Sequence, residues 1–474
     1  MQQDYTQPNG LVETYLGLLE EFSKAFGQRR VFERACCLVW GSLFTFARKT
    51  LMSIRCGAGQ LEDWTADCRL LSRGRLNVEA LGCCLLSLTL EHVPATEPYA
   101  VVVDATHVGR SGKKMPGAAW GRGLGTALWN RGLQWLQRFC NLCWLTPEQE
   151  GYRRAIPLMW RAAPTPSATA CEEPACKEWE AGRKSLVWLR DALDHLGRSE
   201  QWLMVAADGS YDVNAFWTQL PARTAAVVRS AKNRKLRALP TPTEQPSRGA
   251  PRKYGDRLPT PAQLRQETQC HWEKKRVAVR GRTIEVKYRV VGPVLVEGAP
   301  EQPLFLIVVK GYHRRKQGNA KRREPCQYLV NAVCQDGQWQ LSLSLDAILE
   351  LIWHRWEIEV CHREIKSGFG LGQIQSWSKR GGIQGVQFMA WAYALTMLAA
   401  YKAWKGLLHP PIRPTPWWPG ARRWSLNTVL QALRQEVWRL GDFQPVWTRI
   451  RAKGQNNPNF MVGLTNALLA SKRA

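Results

Sequence analysis

The first ninety residues carry apolar positions at helical spacing with polar positions between them. The pattern is clearest at residues 32–40 and 76–81, and it predicts a helical region from about residue 11 to residue 92. Basic residues are spread through this region. A small DNA-binding helical bundle is one interpretation, and a packing or dimerisation domain fits almost as well.

The hydrophobic pattern changes at Tyr99 from helical spacing to short apolar runs. Residues 100–103 form one such run, which ends at Asp104, and residues 202–207 form another, which ends at Asp208. Continuous apolar runs of this length are typical of buried central strands. Further strands are predicted at residues 132–145, 152–161 and 225–229, and helices at residues 178–196 and 213–220.

The order of these elements along the chain is strand, strand, strand, helix, strand, helix, strand. This is the order of a ribonuclease-H-like mixed sheet, and we therefore predict an α/β fold. The basic stretch at residues 106–114, just after the first strand, is predicted to be a flexible turn.

The second half of the chain begins with a loop rich in Pro, Arg and Gly, followed by segments that alternate as strands do. A helix at residues 344–367 and a long apolar helix come next. The predicted division is a helical N-terminal domain (1–98), a sheet core in two parts (99–237 and 346–405), a β-rich insertion (238–345) and a helical, basic tail (406–474).

Charge narrows the choice of partner. Lys and Arg number 66 against 39 Asp and Glu, a net charge of +27, and such an excess favours nucleic acid. Clusters at residues 229–237, 274–282 and 314–323 are predicted to line a DNA path, although for the last of them a solvated loop is an equal alternative. The phosphate-binding candidates in these clusters are Arg229, Lys232, Arg234, Arg314 and Arg315.

No membrane partner is expected. The longest apolar stretch, residues 389–400, is shorter than a membrane-spanning helix and is predicted to be a core helix. The N-terminus lacks the charged start and the continuous apolar run of a secretory signal, so a cytosolic chain is expected.

The 14 cysteines are scattered through the chain, and most are predicted to be buried thiols. Cys140 and Cys143 have zinc-ligand spacing, and Cys171 and Cys176 could complete a four-thiolate site. Positions three apart on a strand face opposite sides, however, which argues against joint ligation.

The helix at residues 344–367 carries a third functional pattern. Arg355, Glu359 and Lys366 follow one another at spacings of four and seven residues, so two cations and one carboxylate share a face. A carboxylate flanked by cations suits a site that binds metal and phosphate together. A salt-bridged surface helix is the ordinary alternative. The adjoining apolar stripe comprises Leu351, Ile358, Cys361 and Ile365.

Three carboxylates therefore stand out: Asp104, Asp208 and Glu359. Singly, each is better explained as a strand-end cap or a helix ion pair. If the fold brings them together, they form an oxygen-rich site for two divalent ions about 3.5–4 Å apart, suited to in-line attack at phosphorus. Mg²⁺ or Mn²⁺ is expected, because no soft-ligand cluster accompanies these residues.

The three motifs resemble the DDE transposases of bacterial insertion sequences, in particular the subgroup with a Y-x2-R-x3-E-x6-K signature. The likeness extends over roughly residues 99–400. One position departs from the signature, because Ile352 stands where its Tyr is expected. The resemblance implies that Asp104, Asp208 and Glu359 hold the metals, and that Arg355 and Lys366 contact phosphate near the cleaved end.

The resemblance further implies a ribonuclease-H-like enzyme of the bacterial cytoplasm that cuts double-stranded DNA at terminal inverted repeats and joins the 3′-hydroxyl to target DNA. It also implies a homodimer in the synaptic complex, and an aromatic of the insertion that stacks on a flipped base, for which Trp272 and Trp339 are candidates. The alternatives are an inactive DNA-binding descendant and a metal-dependent nuclease without strand transfer.

Overall fold

The computed structural model describes residues 10–60, 64–122, 132–241, 250–267, 271–316, 319–323, 325–408 and 423–439, without the side chains of residues 312–323 and 438–439.

The N-terminal region is helical, as the apolar spacing predicts. Its helices are α1 (Leu11–Glu21), α2 (Arg29–Phe44), α3 (Leu51–Gly57), α4 (Thr65–Ser72) and α5 (Val78–Leu90), with a short 3₁₀ turn at Phe22–Ala25. Thr50 caps α3 and Asn77 caps α5, each side chain accepting a hydrogen bond from a backbone N–H of the first turn. The apolar faces of these helices belong to the same hydrophobic core as the sheet that follows.

The sheet has the predicted order of strands and helices, with one further strand, at Ala118–Arg122, that was not predicted. Its first strands and helices are β1 (Tyr99–Gly109), β2 (Ala118–Arg122), β3 (Leu133–Leu145), β4 (Ala155–Ala162), α6 (Glu178–His195), β5 (Leu203–Ala207), α7 (Asn214–Thr218) and β6 (Thr224–Arg229). β3 pairs antiparallel with β1 on one edge and with β2 and β4 on the other, whereas β1, β5 and β6 run parallel. The order β4-β3-β1-β5-β6 is ribonuclease-H-like and confirms the α/β fold class.

One local prediction was wrong. Residues 106–109, predicted to lie in a flexible turn, continue β1, and Gly109 at its end still pairs with Leu136 of β3. Pairing along the whole length of β3 outweighs the turn-like local composition.

The insertion continues the same sheet. Its elements are β7 (Leu236–Ala238), α8 (Pro261–Gln266), β8 (Glu273–Val279), β9 (Arg282–Val296), β10 (Ala299–Val309), β11 (Tyr312–Lys316), β12 (Asn319–Arg323), β13 (Cys326–Gln335) and β14 (Gln338–Leu341). β13 lies antiparallel beside β6, and the order then runs β13-β10-β9-β7, while β11 and β12 pair only with each other.

The helix predicted at residues 344–367 is divided in the structure. It consists of α9 (Leu345–His354), α10 (Glu357–Arg363) and a π-helical turn (Glu364–Gly368). At the junction the Trp356 N–H donates to the Trp353 carbonyl, three residues back, so the helix tightens there. The predicted apolar stripe is buried throughout, with Leu351, Ile358, Cys361 and Ile365 at most 2% exposed.

Two more helices complete the described chain, α11 (Gly381–Ala403) and α12 (Leu426–Arg439). α11 is longer than the predicted apolar stretch, and by length and composition it could cross a membrane. In the most apolar 18-residue stretch of α11, 94% of the residues are nevertheless buried inside the protein. The helix packs against α1, α4, α5 and β4. α11 is therefore a central helix of the hydrophobic core.

Candidate active site

The two aspartates lie side by side at one edge of the sheet. Val103 of β1 pairs with Ala207 of β5 in parallel register. Asp104 directly follows Val103, and Asp208 directly follows Ala207. β5 ends at Ala207, whereas β1 continues past Asp104 to Gly109, so Asp104 lies within β1 at the point where its pairing with β5 stops. The parallel pairing of the two strands therefore brings these two carboxylates together.

Glu359 reaches the same edge from α10. Its Oε1 accepts a hydrogen bond of 2.9 Å from Arg355, whose guanidinium also lies 3.9 Å from Asp208 Oδ1. Arg229, at the end of β6, stands 4.0 Å from the same Asp208 oxygen. One arginine thus bridges a strand-end aspartate and the helix glutamate.

The charges of Asp208 and Glu359 influence the pKa of Asp104. Burial raises the pKa of Asp104 to about 7, and Arg355 opposes this rise while Asp208 and Glu359 add to it. The Asp104 side chain also accepts a 2.8 Å hydrogen bond from the Ala105 N–H, which favours the ionised form. Burial, rather than the neighbouring charges, is therefore the main reason that the pKa of Asp104 is raised.

Lys366, on the π-helical turn, completes the cluster. Burial lowers its pKa, and the Asp104 carboxylate counteracts this, so the two groups are near neighbours. Arg355 is likewise held charged, since Asp208, Glu359 and Asp104 more than offset the effect of burial on its pKa. All five residues of the predicted motifs converge at this edge of the sheet.

The donor set fits a divalent ion. Carboxylate oxygens are the ligands that Mg²⁺ and Mn²⁺ prefer. Burial disfavours the ionised form of Asp104, and a bound cation would offset that effect. Over the residues with a described position, no three His, Cys, Asp or Glu side chains are grouped closely enough to hold an ion. Arg355, which lies between two of the three carboxylates, would have to move aside for an ion to bind.

Comparison with known proteins adds the family. The pattern of the DDE superfamily endonucleases matches residues 21–290, which is more than half of the chain and includes Asp104 and Asp208. The chain belongs to this family. Glu359 lies beyond the matched residues, so its place in the site rests on the geometry above. No curated protein matches the sequence.

A solved structure with some similarity to this DDE endonuclease is the cryo-EM structure of a piggyBac transposase synaptic complex with hairpin DNA. The TM-score is 0.33 and the sequence identity 8%, over 79% of this chain and 58% of that one. This chain therefore spans less than two thirds of the transposase. The fold assignment rests on the strand order and the family match.

The candidate site of the DDE endonuclease is flanked by polar contacts that the sequence analysis missed. Asn141 of β3 lies opposite Asp104 in the strand register, is fully buried, and has its amide nitrogen 3.3 Å from His362 Nε2. Burial and the nearby Lys366 lower the pKa of His362 to about 3, so this ring is neutral. A cross-strand neighbour of this kind follows only from the pairing register, which no motif encodes.

A second missed feature holds the far end of the helix that carries Glu359. Glu364, on the π-helical turn, accepts hydrogen bonds from Arg154 (2.9 Å), Tyr393 (2.8 Å) and the Leu426 N–H (3.2 Å). This carboxylate lies one residue outside the apolar stripe, so nothing in the residue pattern separates it from an ordinary surface glutamate.

The other predicted phosphate ligands differ in availability. Lys232 is exposed, whereas the Arg234 guanidinium is already engaged by Asp212 at 3.2 Å and Asn214 at 3.3 Å. Arg314 and Arg315 lie on β11, and their side chains are outside the described part of the structure.

The two tryptophan candidates are both partly buried. The ring of Trp272 packs beneath the cations of Arg289 and Lys310, 4.4 and 5.1 Å from its centroid. Trp339 lies on β14 opposite Cys334. Ile352, at the signature Tyr position, is only 7% exposed on α9.

Cys140 and Cys143 face opposite sides of β3, as strand geometry predicts. Cys140 Sγ lies 3.2 Å from the Tyr211 hydroxyl, whereas Cys143 is beside Cys361 of α10. Burial raises the pKa of both thiols.

Removing the Asp104 charge should stabilise the metal-free enzyme. Because its pKa rises from 3.8 to about 7 on folding, the folded protein keeps a proton that the unfolded chain releases, and the free energy of unfolding falls as pH increases through this window. Asp104→Asn should lack this slope and gain about 1–3 kcal/mol at pH 8. Urea unfolding in EDTA at pH 5 and pH 8 measures it, and equal differences at both pH values would contradict the expectation.

Proposed function

We propose that this DDE endonuclease is a DNA transposase of the bacterial insertion-sequence type, in which Asp104, Asp208 and Glu359 form the catalytic centre. The observation that carries the proposal is the arrangement of the three carboxylates: Arg355 contacts both Asp208 and Glu359, and the charges of Asp208, Glu359 and Arg355 all affect the pKa of Asp104. Lys366 lies beside them, since the Asp104 carboxylate affects its pKa. Family membership supports cleavage of a phosphodiester, and the positive net charge of +27 supports a polyanionic substrate.

Endonucleases of this superfamily generally use divalent metal ions. In the proposed site Asp104, Asp208 and Glu359 would hold two Mg²⁺ or Mn²⁺ ions. Bound there, the ions would lower the pKa of the attacking water or 3′-hydroxyl and stabilise the leaving oxygen. Asp104 must lose its proton to act as a ligand, which its pKa near 7 allows at neutral pH.

Two cations are proposed to position the DNA. Arg355 contacts Asp208 and Glu359 in the metal-free protein, and with those carboxylates holding metal its planar guanidinium would be free to contact a phosphate with two donors. Lys366 is proposed to neutralise a second phosphate oxygen. A phosphate would, like the Asp104 carboxylate, favour the charged form of this partly buried ammonium.

The remaining assignments are proposals that follow from the same reaction. The substrates are double-stranded terminal inverted repeats and target DNA, the working assembly is a homodimer on paired ends, and the location is the bacterial cytoplasm. Arg229 and Lys232, near the Asp208 edge, are proposed to follow the DNA backbone, together with Arg314 and Arg315. Arg234 could join them only by leaving Asp212. Trp272 or Trp339 would stack on a base only after a rearrangement of its surroundings.

Strand transfer separates a transposase from a simple nuclease. The test combines the purified protein with Mg²⁺, a supercoiled plasmid and a labelled duplex. The duplex carries the end sequences of the DNA that flanks the gene of this protein. We expect labelled ends covalently joined to the plasmid. Cleaved ends without joined product would favour the metal-dependent nuclease, and binding without any cutting would favour the inactive DNA-binding descendant.

A further inference from the structure

A groove in the N-terminal region is lined by five arginines. It lies between α2 and α4, has a volume of about 240 Å³, and presents Arg30, Arg34, Arg69, Arg73 and Arg75 around the apolar side chains of Val31 and Leu70. Among the residues with a described position, no acidic side chain lines it. Such a concentration of one sign of charge is unfavourable for the protein alone.

Helical spacing sets these arginines face to face. Arg30 and Arg34 are four residues apart on α2, and Arg69 and Arg73 are four residues apart at α4, so each pair projects from one side of its helix. Like charges at this spacing destabilise a helix, and two such pairs across one groove add to the repulsion. An anionic ligand would remove this cost.

The described carboxylate that pairs with a groove arginine is already neutralised. Asp67 of α4 is 2% exposed and is paired with Arg34 at 3.2 Å and with the buried guanidinium of Arg55. These contacts tie α2, α3 and α4 together and fix the width of the groove. They leave Asp67 no capacity to balance the arginines at the rim.

The rim arginines are available for a ligand. Arg30, Arg69, Arg73 and Arg75 are exposed, and none of them forms an ion pair with another residue of the described chain. Arg30 donates only to the Gln28 side chain, at 2.9 Å. Guanidinium groups have the planar donor geometry that matches phosphate oxygens.

We propose that this arginine groove binds the phosphate backbone of duplex DNA, as a second contact surface besides the carboxylate site. The inference rests on the proposed function for its substrate and adds where on the protein the substrate is held. Because guanidinium–phosphate contacts carry no base information, the groove sets the position of the duplex and does not read its sequence.

DNA binding without catalysis tests the groove. Binding of a labelled 40-base-pair duplex to the full chain in EDTA would be measured from 50 to 300 mM salt. Arg69→Gln/Arg73→Gln should weaken binding at 150 mM salt by about tenfold or more, and should reduce the slope of log K against log salt by about 1.8, for two lost phosphate contacts. Arg69→Lys/Arg73→Lys should keep most of the slope.

A charge-matched control is Lys24→Gln/Lys402→Gln, because these exposed lysines are already paired with Glu21 and Glu91. It should change affinity less than about twofold. Wild-type slope in the Arg69/Arg73 variant, or equal losses in variant and control, would overturn the groove. Groove-dependent binding by a protein that cuts no DNA in Mg²⁺ would support the groove while contradicting the proposed catalysis.

Discussion

Replacing Arg154 by Met should lower the free energy of unfolding by about 3–5 kcal/mol, because it leaves a buried carboxylate without its cation. Arg154 is 3% exposed, donates to Glu364 at 2.9 Å and packs 4.4 Å from the centroid of the Trp424 ring. Glu364 lies on the π-helical turn that directly follows α10, so the substitution should also disturb the position of Glu359 on that helix. Urea unfolding followed by tryptophan fluorescence gives the value.

Two comparisons make the Arg154 result specific. Arg161→Met breaks the more exposed pair between Arg161 of β4 and Glu79 of α5, and should cost no more than about 1 kcal/mol. The double variant Arg154→Met/Glu364→Met should recover part of the loss, since both charges are then removed. A loss below about 1 kcal/mol for Arg154→Met alone would mean that the buried network does not anchor the helix.

Replacing Asp208 by Asn should reduce metal-dependent DNA cleavage by about 10³-fold or more, because an amide carries no charge and is a poor substitute for a carboxylate that bridges or holds divalent ions. The Asp208 side chain is half-buried, and its ion-pair partners among the described residues are Arg229 and Arg355. Its loss should therefore leave folding almost unchanged. Single-turnover cleavage of a labelled duplex, at saturating protein, measures the effect on the chemical step.

Asp212 provides the matched control for Asp208. It lies four residues further along the same loop and has a structural set of partners: the Trp217 indole N–H at 3.1 Å, the Ser230 hydroxyl at 2.7 Å and Arg234 at 3.2 Å. Asp212→Asn should lower stability by about 1–3 kcal/mol and leave the cleavage rate within a few-fold. If Asp212→Asn abolished cleavage and Asp208→Asn did not, the assignment of the two aspartates would be reversed.

Much of the fold was predictable because its central strands are buried on both faces. The apolar runs before Asp104 and Asp208 have few alternatives to a parallel interior strand, and the element order then limits the sheet to few topologies. The convergence of Asp104 and Asp208 follows from that order. The position of Glu359 follows from its place between Arg355 and an apolar stripe that has to face the core.

The parts that could not be predicted depend on contacts between distant residues. The alignment of Asn141 with Asp104 requires the β1–β3 register, and the Arg154–Glu364 pair joins residues 210 positions apart. The tightening of the helix at Arg355 and Trp356 leaves no mark in the residue pattern, since both residues are ordinary helix formers. Likewise, only the folded loop shows that Arg234 is held by Asp212.

The central claim is that the carboxylate cluster at the sheet edge performs metal-dependent DNA cleavage. The most direct measurement incubates wild-type protein and Glu359→Gln with labelled duplexes carrying the ends of the flanking DNA, with Mg²⁺ or with EDTA. The account predicts cleavage by the wild type in Mg²⁺ alone, and its loss in Glu359→Gln while DNA binding in EDTA is retained. Equal cleavage by both proteins, or wild-type cleavage that persists in EDTA, would contradict it.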